Sequence, residues 1–346
     1  MASIRVRGAW LALFAALAVA GCGDNSDGKG EVGQNVTSMA VFGDSLSDLG
    51  TYQVGPVAAA GGGRFSTNPA KFWVEYVADY YGVTVSKNRV GGFGVPITVL
   101  GGTGYAEGGA RVALQPGINC APDGAGGCTL AGALTRPVTQ QIAAHLAASG
   151  GTLSNRQLVL ILAGNNDMLV QASAVAAAGG TPASVTAAQT AMGVAGATLA
   201  TAARSLITAG AGKVVVLTPF DLVAAPLGSA SSVTSQGLFQ GLLLAFNQQL
   251  QGGLAGVPNV VVVSSGDFQY DMRANPAAYG MVNVTSPACN LAVLPGQSSL
   301  FCSAATLVNA GASNNYMFAD AVHPAAGAHA HFGNYVIGRI AAAVPR

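Results

Sequence analysis

The sequence predicts an α/β protein, a mainly parallel central sheet with helices on both faces, and three observations carry that expectation. Four apolar, β-branched runs, 38–42 (SMAVF), 158–162 (LVLIL), 213–218 (KVVVLT) and 260–264 (VVVVS), are near-continuous, as strands covered on both faces read. Stretches of helical periodicity separate them, and strands alternating with helices argue for crossover-linked parallel pairing. No fixed-period repeat, charge run or second linker divides the chain after its first 36 residues, so one domain over 37–346 is expected.

Taken in order, residues 1–21 carry Arg5 and Arg7, then WLALFAALAVA, then small residues, which is the pattern of an export signal. The apolar stretch is too short to span a bilayer. Val19-Ala20-Gly21-Cys22 resembles the bacterial lipobox, in which cleavage precedes a cysteine that then carries lipid. Residues 22–36 read as a polar tether holding the domain clear of a surface. Gly23, where Asp is absent, resembles the signal for transfer onward to an outer membrane. The expected location is therefore the cell envelope, with Cys22 as the lipid anchor.

Beyond the first strand, 72–80 (FWVEYVADY) puts Trp73, Tyr76, Val77 and Tyr80 on one helical face, and 139–148 spaces Ile142 and Leu146 one turn apart. Thr181-Pro182 supplies an N-cap and a first-turn proline for a long helix to about residue 210, with Val185, Met192, Leu199, Leu206 and Ile207 inward. Another helix is expected over 237–250. The Gly-rich segments 54–68, 91–138 and 271–318 read as surface excursions at the ends of the strands, where ligands of such sheets bind.

Composition excludes several functions. Lys and Arg number 15 against 14 Asp and Glu, a formal charge of +1, so no basic excess exists to neutralise a phosphate backbone. No nucleic-acid partner is expected. Only 8% of residues are charged and mean hydropathy is +0.45, the opposite of a disordered chain. Gly61-Gly62-Gly63 lacks the lysine and the strand-to-helix setting of a phosphate loop.

Five cysteines in an exported chain leave one over, and Cys22 is that one. The other four allow three pairings; the expected pairing is the local one, Cys120 with Cys128 and Cys289 with Cys302, in an oxidising compartment. No CxxC occurs and no His lies beside either pair, which argues against a metal site.

The chemistry-bearing residues fall at strand ends. The first strand empties into Gly43-Asp44-Ser45-Leu46, placing Ser45 where a nucleophile could offer its hydroxyl and its own N–H to a carbonyl. Alone, such a serine is more often a helix cap. In Asp320-Ala321-Val322-His323, the histidine can take a hydroxyl proton and an aspartate three residues earlier can fix its tautomer. Gly164-Asn165-Asn166-Asp167 follows the second strand and offers an amide to an oxyanion. Gly104-Tyr105-Ala106-Glu107-Gly108-Gly109 offers an exposed glycine N–H. His145 reads as a solvated helix position and His329 as a packing residue.

Together, and in this order, these four blocks resemble the SGNH or GDSL hydrolases, in the secreted esterase and lipase branch with phospholipase-like and haemolysin-like members; the resemblance covers about residues 38–340. It implies the flavodoxin-like α/β/α sandwich of that family and a serine esterase or lipase needing no cofactor and acting on carboxylic esters. A carbohydrate O-acetyl esterase and a surface binding lipoprotein without catalysis are the alternatives. Carried over residue by residue, Ser45 is nucleophile, His323 base and Asp320 its orienter, with Ser45 N–H, Gly109 and Asn166 as the oxyanion hole. Gly108 and Asn165 are rivals for the last two roles. Many members carry Asn or Asp where this chain has Gly104, which puts one supporting hydrogen bond in doubt. Some relatives continue into a C-terminal barrel, for which the 23 residues after His323 leave no room.

Overall fold

The computed structural model describes residues 36–343. The expected export signal, Cys22 and the tether up to residue 35 lie outside the described residues. Four strands form one parallel sheet in the order β1 (Ser38–Gly43), β2 (Gln157–Leu162), β3 (Lys213–Leu217) and β4 (Val260–Val263). Pairing is in register, from Ser38 opposite Gln157 through Val214 opposite Val260. On the free flank of β1 the chain returns at Thr103–Tyr105, where Val41 N–H donates to Thr103 O and Tyr105 N–H to Val41 O. Segments that follow β1 thus lie on both of its flanks, and this reversal opens a crevice at its carboxyl end.

The period-2 alternation of the strands sorts side chains into two cores. Met39, Val41, Leu158, Leu160, Leu162, Val215 and Leu217 face α1 (Trp73–Tyr81), α6 (Ser265–Ala274) and α7 (Ala326–Ala342). Ala40, Phe42, Val159, Ile161, Val214 and Val216 face α2 (Val138–Ala148), α3 (Asn165–Ala177), α4 (Pro182–Thr208) and α5 (Val233–Leu254). This is a three-layer α/β/α sandwich. Each of these large apolar side chains contributes about 1.5–3 kcal/mol on full burial, so the two sheet faces hold the layers together.

α4 starts at its Thr181 cap, whose hydroxyl accepts from Ser184 N–H, and buries Met192, Leu199 and Leu206. α5 runs longer than its apolar periodicity suggested because the Ser232 hydroxyl caps it upstream, accepting from Ser235 N–H. α1 is rotated from the expected face: Trp73, Val74, Val77, Ala78 and Tyr81 are buried, while Tyr76 and Tyr80 are half-exposed. The cause is Trp73, whose indole N–H donates 3.0 Å to Leu46 O and aims that edge of the helix at the turn after β1.

The Gly-rich excursions hold local structure that periodicity did not reveal. Arg89–Gly92 and Val95–Val99 pair antiparallel, and Asn283–Pro287 pairs parallel with Tyr316–Phe318. Disulfides join Cys120 to Cys128 and Cys289 to Cys302. Among the described residues no helix is long and apolar enough to cross a membrane.

Candidate active site

β1 ends on a glycine for a steric reason. Gly43 has φ +149°, and a Cβ there would lie 2.2 Å from Leu162 O on β2. Gln141 of α2 clamps this residue, accepting from Gly43 N–H at 2.9 Å and donating to Gly43 O at 2.8 Å. The next turn is closed by Leu46 N–H to Asp44 Oδ1 and Ser47 N–H to Asp44 O, both 3.0 Å. Ser45 therefore stands on a turn held from three sides, with its side chain facing a cavity lined also by Gly109, Asn166, Phe65, Leu222 and His323.

Asp320 and His323 arrive from the other end of the chain, just past the strand at Tyr316–Phe318. His323 Nε2 lies 2.8 Å from Ser45 Oγ, and His323 Nδ1 lies 2.8 Å from Asp320 Oδ2. Phe65 packs on the imidazole at 5.1 Å between ring centroids. Burial alone would raise the Asp320 carboxyl, but the facing His323, with Ser299 and the Val322 N–H beside it, holds it well below the usual carboxylate range. The carboxylate is thus ionised, and it orients an imidazole whose other nitrogen faces the hydroxyl.

Three donors converge on the same cavity. Among the described residues, the N–H groups of Ser45 and Gly109 make no hydrogen bond, whereas Gly108 N–H is taken by Asp48 Oδ2 at 2.8 Å. Gly109 is held at φ +82°, a conformation that glycine adopts without strain, and a Cβ there would meet Ile118 O at 2.2 Å. Asn166 donates one amide hydrogen to Ala110 O at 2.8 Å, which leaves the other available. Asn165 is committed elsewhere: its amide spans the backbone of Phe220, accepting at 3.0 Å and donating at 2.8 Å. Of the glycines, then, Gly109 has the free N–H; of the asparagines, Asn165 is held at both ends of its amide by Phe220, while Asn166 is held only through its nitrogen.

Supporting contacts went unassigned at the sequence level although several sit inside the motifs. Asp48 accepts from Gly50, Thr51 and Gly108 N–H, tying the glycine block to the serine turn. Its burial pushes the carboxyl up to about 6 despite those donors. Asp167 pairs with Arg111 at 3.2 Å and accepts from Val112 N–H, locking the glycine block to α3. Gln141 and Ser299 carry no sequence signal, since each acts through backbone groups that only the fold brings near. At Gly104 the N–H donates to Ser86 O, and a Cβ would lie 2.7 Å from Leu49 Cδ1.

The remaining histidines take no part. His145 is buried, contrary to its expected solvated position: its ring packs against Phe42 and Tyr105 and its Nε2 lies 3.1 Å from Gln157 Oε1. A helix-surface position became core because Gln157, at the start of β2, faces α2. His329 is fully buried and stacks on Phe72 at 4.1 Å. Among the described residues no group of His, Cys, Asp and Glu could hold a metal ion.

The chain matches none of the curated protein sequences with which it was compared. A family profile described as GDSL-like Lipase/Acylhydrolase matches residues 39–336, nearly the whole described domain. With that match spanning both the serine turn and the Asp320–His323 segment, the chain belongs to the GDSL-like lipase/acylhydrolase family of ester hydrolases.

Proposed function

We propose that this chain is an exported serine esterase or lipase that cleaves carboxylic esters through an acyl-enzyme on Ser45. The observation that carries the reading is the continuous contact from Ser45 Oγ through both nitrogens of His323 to Asp320, each step 2.8 Å. In the proposed sequence Ser45 Oγ attacks the ester carbon while its proton passes to His323 Nε2. The carbonyl electron pair becomes an oxyanion received by Ser45 N–H, Gly109 N–H and Asn166 Nδ2. Collapse breaks the bond to the leaving oxygen, which takes the proton from His323. Water then repeats the attack, giving up its proton to His323 and releasing acid and free Ser45. Asp320 stays ionised throughout and stabilises the imidazolium. An alkyl phosphonate should add once per chain at Ser45, and Ser45→Ala should abolish both labelling and hydrolysis; labelling on another residue would overturn the assignment.

Export and attachment form a second part of the proposal, supported by the sequence of residues 1–36 alone. Removal of residues 1–21 would leave Cys22 as an acylated N-terminus, anchoring the domain to an outer membrane with the tether between them. Two or more acyl chains on one residue anchor durably where one does not. Cys22→Ser should block lipid labelling and release active enzyme. An unacylated mature N-terminus in the wild-type protein would overturn this part and leave the esterase reading standing.

A further inference from the structure

We infer that the acyl group of the substrate is a chain of about ten or more carbons, laid along α3 in a neutral groove that leads out of the catalytic cavity. This inference rests on the esterase reading above and deepens it. Leu169 lines both the catalytic cavity and a second, larger groove bounded by α3 and the starts of α4 and α5. α3 begins at the oxyanion donor, with Asn166 in its first turn, and the residues that follow one another along the same flank are Leu169, Ala172 and Ala176. A spacing of three and four residues keeps these side chains in one row.

The opposite wall makes the same journey. Leu222 lines the catalytic cavity and Leu227, five residues on, lines the groove. Phe239 of α5 and Val175 of α3, both buried, form its floor. Its remaining lining is Val185, Leu238, glycine and uncharged polar side chains such as Ser173 and Thr234, and no Asp, Glu, Lys, Arg or His contributes among the described residues. A surface that desolvates cheaply and offers no charge suits methylenes. An acetyl group, by contrast, would end beside Leu169 and leave the groove unused.

Length follows from helix geometry. Asn166 to Ala176 is ten residues, or about 15 Å at the α-helical rise. An extended hydrocarbon advances somewhat less than its ~1.5 Å bond length per carbon, so about a dozen carbons reach Ala176. Full burial of a methylene is equivalent to about a fourfold gain in kcat/KM, and a groove open on one side delivers part of that per carbon.

The test is a series of p-nitrophenyl esters from butyrate to dodecanoate, run on the wild-type chain and on Ala176→Trp and Thr234→Trp, which obstruct the far end from opposite walls. Both positions are solvent-exposed, so a bulky side chain leaves the core untouched. The wild-type kcat/KM should rise with chain length, and each variant should lower the dodecanoate-to-butyrate ratio at least tenfold. The rates at which butyl and dodecyl phosphonates add to Ser45, read by intact mass, should shift in parallel. Cleavage of butyrate with an unchanged ratio in both variants would overturn the groove alone. No cleavage and no phosphonate addition at any chain length would overturn the esterase reading and the groove with it.

Discussion

Ser299 reaches Asp320 through its backbone alone: its N–H donates to Asp320 Oδ2 at 2.9 Å, while its buried hydroxyl has no hydrogen-bond partner. The donor lies inside the loop closed by Cys289 and Cys302, at the first position of a 3₁₀ turn capped by Ser298. The excursion over 271–318 therefore does more than cover the sheet; it supplies one of the groups that keep the Asp320 carboxylate charged.

Two substitutions at Ser299 separate the N–H from the side chain. Ser299→Pro removes the donor together with the hydroxyl, at a turn position whose geometry proline tolerates, the preceding residue being extended, so its difference from Ser299→Ala isolates the N–H. A hydrogen bond to a charged group contributes about 1.5–3 kcal/mol, so kcat for ester hydrolysis should fall about ten- to a hundredfold with KM little changed. Ser299→Ala discards an unpartnered hydroxyl and should leave kcat within about twofold. Equal losses in the two variants would show that the side chain, not the N–H, is what Asp320 needs.

Asn165 and Asn166 are adjacent and chemically identical, yet opposite outcomes are expected. Asn166→Ala removes the proposed oxyanion donor and should cost about 2.7–4 kcal/mol of transition-state stabilisation, read as a 10²–10³ loss in kcat, with a smaller loss of stability because only Ala110 O is left unpaired. Asn165→Ala leaves two buried backbone groups of Phe220 unpaired, at about 1–3 kcal/mol each, and should show first as lost stability. Urea denaturation beside kinetics distinguishes them.

Two ion pairs of similar appearance should differ in worth. Arg111 and Asp167 are both buried, with burial raising the Asp167 carboxyl against the pull of Arg111, whereas Lys71 and Asp79 meet at the surface. Arg111→Met strands a buried carboxylate and should destabilise by about 3–5 kcal/mol. Lys71→Met should cost no more than about 1 kcal/mol. Comparable shifts in the denaturation midpoint would contradict the reading of Asp167 as the lock between the glycine block and α3.

The strands were legible in the sequence because a sheet covered on both faces forces continuous apolar runs, and 213–218 could hardly read otherwise. Ser45, Asp320 and His323 were legible because each sits in a short motif of fixed spacing, and the structure brings all three together. Gly109 could be separated from Gly108, and Asn166 from Asn165, only once their hydrogen-bond partners were visible: Asp48 lies 60 residues from Gly108 and Phe220 lies 55 from Asn165. His145 was misread for the same reason. Amphipathic spacing reports which face of a helix is apolar, and it is silent about a polar residue on a neighbouring strand that makes burial of a histidine affordable.

His329 provides a stability test that is independent of the catalytic reading. Both ring nitrogens are buried without hydrogen-bond partners, and burial lowers the imidazole to about 3, with the positive charges of His323 and Arg64 acting in the same direction. Between about pH 3 and the ordinary histidine value near 6.5, the unfolded chain binds a proton here that the folded chain does not. Stability conferred at this position is therefore complete above about 6.5 and declines as pH falls through that window. Asp44, which burial raises to about 7, and Asp48, raised to about 6, act oppositely, losing stability as pH rises from about 4. Those contributions are common to the wild-type chain and His329→Leu, so they cancel in the difference. On moving from pH 8 to pH 5 the wild-type chain should lose about 2 kcal/mol relative to His329→Leu, at about 1.4 kcal/mol per pH unit below 6.5. Parallel stability curves for the two proteins across this range would mean that His329 is protonated in the folded chain, and that an unseen partner satisfies its ring.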